Sequence, residues 1–179
     1  VLASATIIQS LQQIVSRTVD PFDQAVLSIT SIHGGDAFNV IPEVVQMKGT
    51  VRSFRDDMES HYGDLIRRVA ENVAEAHGCK AEVIIPSGYP PVKNDPVALA
   101  KMKTVAAEVF PDGVVDDMPV MGSEDFALYT QRVPGCFAFM GVSKPEDEER
   151  YMLHHPKFHL DEEPLWRGSA LLASLALNS

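Results

Sequence analysis

Basic side chains and cysteines are scarce in this 179-residue chain, and each shortage narrows what it can do. Fifteen Lys and Arg stand against twenty-five Asp and Glu, a net charge of −10. No basic stripe offsets the acid, so phosphate backbones and anionic lipid surfaces are repelled overall, and nucleic acid is not an expected partner. No apolar run approaches the roughly 18 to 20 residues that span a bilayer. The opening from Val1 carries neither a basic leader nor a signal-type apolar segment, which sets the expectation of a cytoplasmic protein without membrane contact. The two cysteines, Cys79 and Cys136, lie far apart with no Cys or His at zinc-like spacing, which fits reduced structural residues better than a disulfide framework. Internal repeats and low-complexity tracts are also missing. An initiator Met is lacking too, and because Val1 opens inside a helical pattern, residues upstream are expected.

What is present is a chain 45% hydrophobic, enough for a globular core. Ile7, Ile8, Leu11, Ile14 and Val15 recur at helical spacing in residues 1–17, with Gln9, Gln12 and Gln13 opposite. Asp20-Pro21 ends that helix, and 26–32 follows as a β-rich run. After a Gly-rich turn at 34–39, Val45, Met47, Gly49 and Val51 alternate with polar residues, the pattern of a half-buried strand. A second helix opens at Asp56-Asp57, with Gly78 placed for a left-handed C-terminal cap, and 80–85 is expected as a third strand. Helix, strand, strand, helix, strand is a β-α-β-β-α-β ferredoxin-like unit lacking its first strand. Four prolines and a glycine in 86–96 mark a hinge, giving two expected domains, 1–87 and 88–179. Beyond the hinge, helices are expected at 97–110, at 123–131 with Ser123 as cap, and at 163–177, with a buried strand at 136–142. The last helix is nearly all apolar and needs burial. The fold class is α/β with an α+β first domain.

Residues 151–162 hold three of the six histidines. Adjacent side chains such as His154 and His155 point apart on an extended backbone, so this segment can offer a catalytic metal one ligand. His154 is the candidate, set against the plainer reading of a surface histidine with one hydrogen bond. Asp161 and Glu162 either orient it or form the acidic start of the last helix. Gly122, Ser123 and Glu124 combine a permissive backbone with a helix start, which suits a ligand contact or a simple cap. Arg52, on the polar face of its strand, suits a substrate carboxylate or a surface salt bridge, and Asn39 suits a contact or a turn. His33, His61 and His77 are scattered, so no second metal cluster is legible.

In order along the chain, Asp20-Pro21, His33-Gly34-Gly35-Asp36-Ala37-Phe38-Asn39-Val40-Ile41-Pro42, Gly49-Thr50-Val51-Arg52-Ser53-Phe54, Gly88-Tyr89-Pro90-Pro91-Val92, Met121-Gly122-Ser123-Glu124-Asp125-Phe126 and Leu153-His154-His155-Pro156-Lys157-Phe158 closely resemble the zinc-dependent amidohydrolases and aminoacylase-like metallopeptidases. The resemblance covers essentially the whole chain but only the C-terminal half of a family member. It implies that residues like 1–87 form a dimerising lid and residues like 88–179 the C-terminal part of an α/β metallopeptidase catalytic domain. It further implies a divalent metal pair, zinc or alternatively manganese, cobalt or nickel, with His154 as one ligand. Asn39, Arg52, Gly122, Ser123 and Glu124 would contact an N-acyl-amino-acid substrate, the lid residues reaching across a homodimer. The family's other ligands and its general base would lie upstream of Val1, so no catalytic residue is expected here and this chain alone is expected to be inactive. The alternatives are a self-standing dimerisation or binding module and a metal-free pseudo-enzyme.

Overall fold

The computed structural model describes residues 1–110, 113–115, 119–144, 146–147 and 149–177. They form two compact units, Val1–Pro91 with Val120–Asp125, and Val92–Pro119 with Phe126–Ser179.

In the first unit, helix α1 (Leu2–Gln13) runs into a π-helical turn at Ile14–Thr18. Asp20 then closes the turn, its Oδ1 accepting from Phe22 N–H and its carbonyl from Asp23 N–H, both at 2.9 Å. Strands β1 (Ala25–His33) and β2 (Gln46–Ser53) pair antiparallel. Thr30 is skipped in the ladder between Ile29↔Gly49 and Ser31↔Lys48, a one-residue bulge. Because side chains alternate with period two, the bulge puts Ile32, which stays half exposed, on the same face as Leu27 and Ile29, opposite Met47. Gly49 sits at this irregularity, where a Cβ would come within 2.4 Å of the Ser28 carbonyl. Helix α2 (Met58–Ala76) ends in a Schellman motif: Cys79 N–H reaches the Ala74 carbonyl, Gly78 N–H the Glu75 carbonyl, and Gly78 takes φ +65°.

Helices α1 and α2 pack together and bury Ile7, Leu11, Ile14, Tyr62, Ala70 and Ala74 with Leu27 of β1; Met47 and Val51 pack against this cluster. The 80–85 segment expected as a strand is not one. Ala81 and Val83 pack against the core, but among the described residues the only sheet is the β1–β2 pair. A strand is defined by the edge it bonds to, and apolar alternation alone supplies no edge.

In the second unit, helix α3 (Pro96–Val109) starts at Asp95, whose Oδ1 accepts from Val97 and Ala98 N–H at 3.0 and 2.9 Å, with Pro96 in the first turn. The 136–142 segment is extended but is no strand. Its backbone bonds to a side chain, since Asn94 Nδ2 donates to the Phe137 carbonyl (2.9 Å) and Phe137 N–H donates to Asn94 Oδ1 (2.8 Å). Further along, Asp161 N–H donates to the Val142 carbonyl at 2.7 Å. The helix expected over 123–131 shrinks to α4 (Ala127–Thr130), preceded by Phe126 rather than capped by Ser123. Helix α5 (Leu165–Leu177) packs on α3, yet none of its residues is buried, contrary to the burial its composition calls for. Val105, Ala106 and Ala127 are the buried apolar residues of this unit among those described. No described helix is long and apolar enough to cross a membrane.

Candidate functional site

Arg52 lies on the outer face of β2, opposite Val26, where alternation turns a polar side chain away from the core. Its Nη1 donates to the Met121 carbonyl at 3.1 Å, which fastens the guanidinium beside Gly122, Ser123 and Glu124. Gly122 has nothing within 4 Å of where a Cβ would stand, so its backbone is open to a ligand. Ser123 is exposed and Glu124 half-buried. One N–H of the Arg52 fork is thereby used for anchorage, and the others are free to form a planar, charge-assisted pair with a carboxylate. Asn39 is exposed in the β1–β2 connection, inside the turn that Val40 N–H closes on the Ala37 carbonyl. The structure thus brings Arg52 and residues 121–124 together, while Asn39 shares no hydrogen bond with them among the described residues.

Nearby, Arg55 is a brace rather than a contact residue. Its Nε and Nη2 form a fork on Asp57 at 2.8 and 3.0 Å, and Nη1 reaches Asp23 at 3.0 Å, joining the start of β1 to the start of α2. The hydrogen bonds from Arg55 hold the Asp57 carboxyl below its ordinary range, and Asp57 with Asp23 pushes the guanidinium further up.

In the second unit His154 is exposed in the loop before α5, at φ +71°, where no other described residue but glycine takes a positive φ. An L-residue there costs roughly 1–2 kcal/mol, and histidine is among the side chains that tolerate it best. Such strain gathers where a side chain must be presented in one direction. Asp161 does not act on His154; its carboxylate accepts from Glu163 N–H at 3.2 Å, at the entrance to α5. Among the described residues no three His, Cys, Asp or Glu side chains are grouped to hold a metal. His154, whose imidazole makes no hydrogen bond among the described residues, could offer a metal one ligand at most. Burial pushes the Cys136 thiol up, and its Sγ lies 3.5 Å from Met102 Sδ. Cys79 is exposed, and both cysteines are free.

Nothing local in the sequence marks the Met121 carbonyl as a partner of Arg52. An arginine on a strand's polar face needs an anchor, but one 69 residues away leaves no local trace.

The chain belongs to peptidase family M20/M25/M40, whose family model matches residues 5–178. It is 38% identical to an N-acetylcysteine deacetylase of Bacillus subtilis (strain 168), covering 99% of this chain and 45% of that protein. It is 35% identical to IAA-amino acid hydrolase ILR1-like 2 of Arabidopsis thaliana, over 99% of this chain and 41% of that one. The Bacillus subtilis YXEP crystal structure, a dinuclear metal binding peptidase of the same family, matches with TM-score 0.77 and 36% identity, covering 98% of this chain and 44% of that one. The chain thus spans just under half the length of these relatives.

Proposed function

We propose that this chain is the lid and the C-terminal catalytic segment of a metal-dependent amidohydrolase that cleaves the amide bond of N-acyl-amino acids. The observation that carries this is His154: family membership over 5–178 coincides with a histidine held at a positive φ in an exposed loop. In this reading residues 1–87 are the lid and 88–179 belong to the catalytic domain. The 80–85 segment, unpaired but with Ala81 and Val83 packed on the core, would take the place of the last strand of a ferredoxin-like lid once a first strand offered it an edge. In the same reading the lid pairs with that of a second copy to form a homodimer.

His154 supplies one imidazole to a divalent metal pair, zinc being the first candidate. When bound, the metals activate water and polarise the scissile carbonyl. Arg52, already tethered at Met121, holds the substrate carboxylate, and Gly122 lets the backbone close on it beside Ser123 and Glu124. Asn39 donates to the carbonyl side. The relatives named as a deacetylase of N-acetylcysteine and a hydrolase of IAA-amino acids support this substrate class, since both names describe an acyl group joined to an amino acid.

The test is His154→Ala in a family-length polypeptide carrying these residues. We expect the loss of one metal equivalent by elemental analysis together with most of kcat. Retention of both metals with full turnover would remove His154 from the ligand set.

A further inference from the structure

The loop that presents His154 is clamped by side chains that the reaction itself does not need. Tyr151 stacks on His155, ring centroids 4.4 Å apart and planes 14° from parallel. Lys157 reaches back over the same tyrosine, Nζ 5.4 Å from the ring centroid, and donates to its hydroxyl at 3.3 Å. That hydroxyl in turn donates to the Glu149 carboxylate. Between them the backbone folds tightly: His155 N–H donates to the Met152 carbonyl (3.1 Å), and Phe158 N–H to the His155 carbonyl (2.9 Å). Lys157 N–H donates to His155 Nδ1 at 3.1 Å. The His155 imidazole is therefore fixed twice, on its face by a ring and in its plane by an amide. Its nitrogen facing Lys157 N–H is the acceptor, so it is not the one poised to coordinate.

A clamp on His155 acts on His154 through the chain. The two residues share a peptide unit, so fixing the His155 ring and its backbone N–H limits how the backbone at His154 can turn. The positive φ at His154 lies at that joint. We propose that Tyr151 and Lys157 are positioning residues: by clamping His155 they keep His154 in its left-handed conformation and aim its imidazole at the metal. This rests on the ligand reading of His154 given above.

Partners that orient a ligand typically contribute a factor of about 10–100 in metal affinity. In a family-length polypeptide, Tyr151→Ala is expected to weaken Zn²⁺ binding at the His154 position by about that factor in chelator competition, with KM unchanged at saturating Zn²⁺. Tyr151→Phe keeps the stacked ring and is expected to bind Zn²⁺ close to wild type, a recovery that general loop damage would not produce. Tyr151→Leu, which keeps apolar bulk without a planar ring, runs alongside and is read in the same way should Tyr151→Ala not fold. If Tyr151→Ala and Tyr151→Leu bind Zn²⁺ as wild type while His154→Ala loses an equivalent, the clamp is wrong and the ligand reading stands. If His154→Ala also keeps its full Zn²⁺, the ligand reading fails and the clamp falls with it.

Discussion

A histidine at φ +71° is held there by its surroundings, and that can be read apart from any metal. Glycine meets no steric penalty in the left-handed region, whereas alanine meets it in full and lacks histidine's polar ring to offset it. In the 179-residue chain, His154→Gly is therefore expected to be more stable than His154→Ala by about 1 kcal/mol in urea unfolding. Equal stabilities would mean that the loop relaxes and that φ is not enforced. Arg52 makes a second case. Its fork is anchored at one N–H by the Met121 carbonyl, so the remaining donors are pre-aimed. With substrate, Arg52→Ala in a family-length polypeptide is expected to lower kcat/KM by roughly 10- to 100-fold, chiefly through KM, the weight of a charge-assisted pair. Arg52→Lys should not restore it, because an ammonium lacks the planar fork. An unchanged KM in both variants would leave Arg52 an anchor only. The identities of Arg52, residues 121–124 and His154 are legible in the sequence as motifs, but their relations are not. The Arg52–Met121 bond spans 69 residues, and no residue pattern around His154 announces its φ of +71°.

Elements that draw on neighbours a few residues away follow from sequence; those that need a distant edge do not. Helices α1, α2, α3 and α5 and the β1–β2 hairpin arise from spacing, caps and a turn, and Asp95 shows why. Its side chain and Pro96 fix the start of α3 within four residues. Asp95→Ala is expected to cost about 1 kcal/mol, seen as a lower urea midpoint for the second unit. The 80–85 and 136–142 segments have strand composition but find no strand partner among the described residues; Asn94 takes the place of one for Phe137. Ser123 has a cap's chemistry, yet too short a helix follows for it to cap. Gly49 is legible only afterwards, as the place where β1 comes too close for a side chain. Gly49→Ala must push on the Ser28 backbone, and about 1–3 kcal/mol of lost stability is expected, with no loss ruling out the close approach. The Arg55–Asp57 pair ties the start of α2 in a pH-dependent way. The Asp57 pKa is lowered on folding, so its contribution is fully present above the ordinary carboxylate range and is lost as pH falls through the folded value. Asp57→Asn should therefore be less stable than wild type at neutral pH and converge with it in acid. A gap that stays constant down the titration would dismiss the linkage.

At the scale of the molecule the two units are unequally provided. The first owns a continuous core from Ile7 to Ala74, with Ile14 and Tyr62 almost fully enclosed. In the second, α5 exposes Trp166 by 58%, Leu172 by 67% and Leu177 by 87%, although its sequence is that of a buried helix. Helices shorter than about 12–15 residues are marginal in water on propensity alone, so a 13-residue helix with no buried residue draws little stability from its own burial. Among the described residues nothing buries its apolar side chains, and this chain spans 45% or less of the relatives named above. Hydrogen exchange on the 179-residue chain is expected to show α2 amides near Ala70 and Ala74 exchanging slowest and α5 amides fast, since local opening follows local burial. In a family-length polypeptide the α5 amides should slow by at least an order of magnitude while those of α2 barely change. The outcome that sinks this is α5 as protected as α2 in the 179-residue chain at every dilution, which would mean that α3 and the 136–142 segment cover it well enough. Protection that fades on dilution would instead identify a second copy as the cover, making the apolar face of α5 a site of self-association.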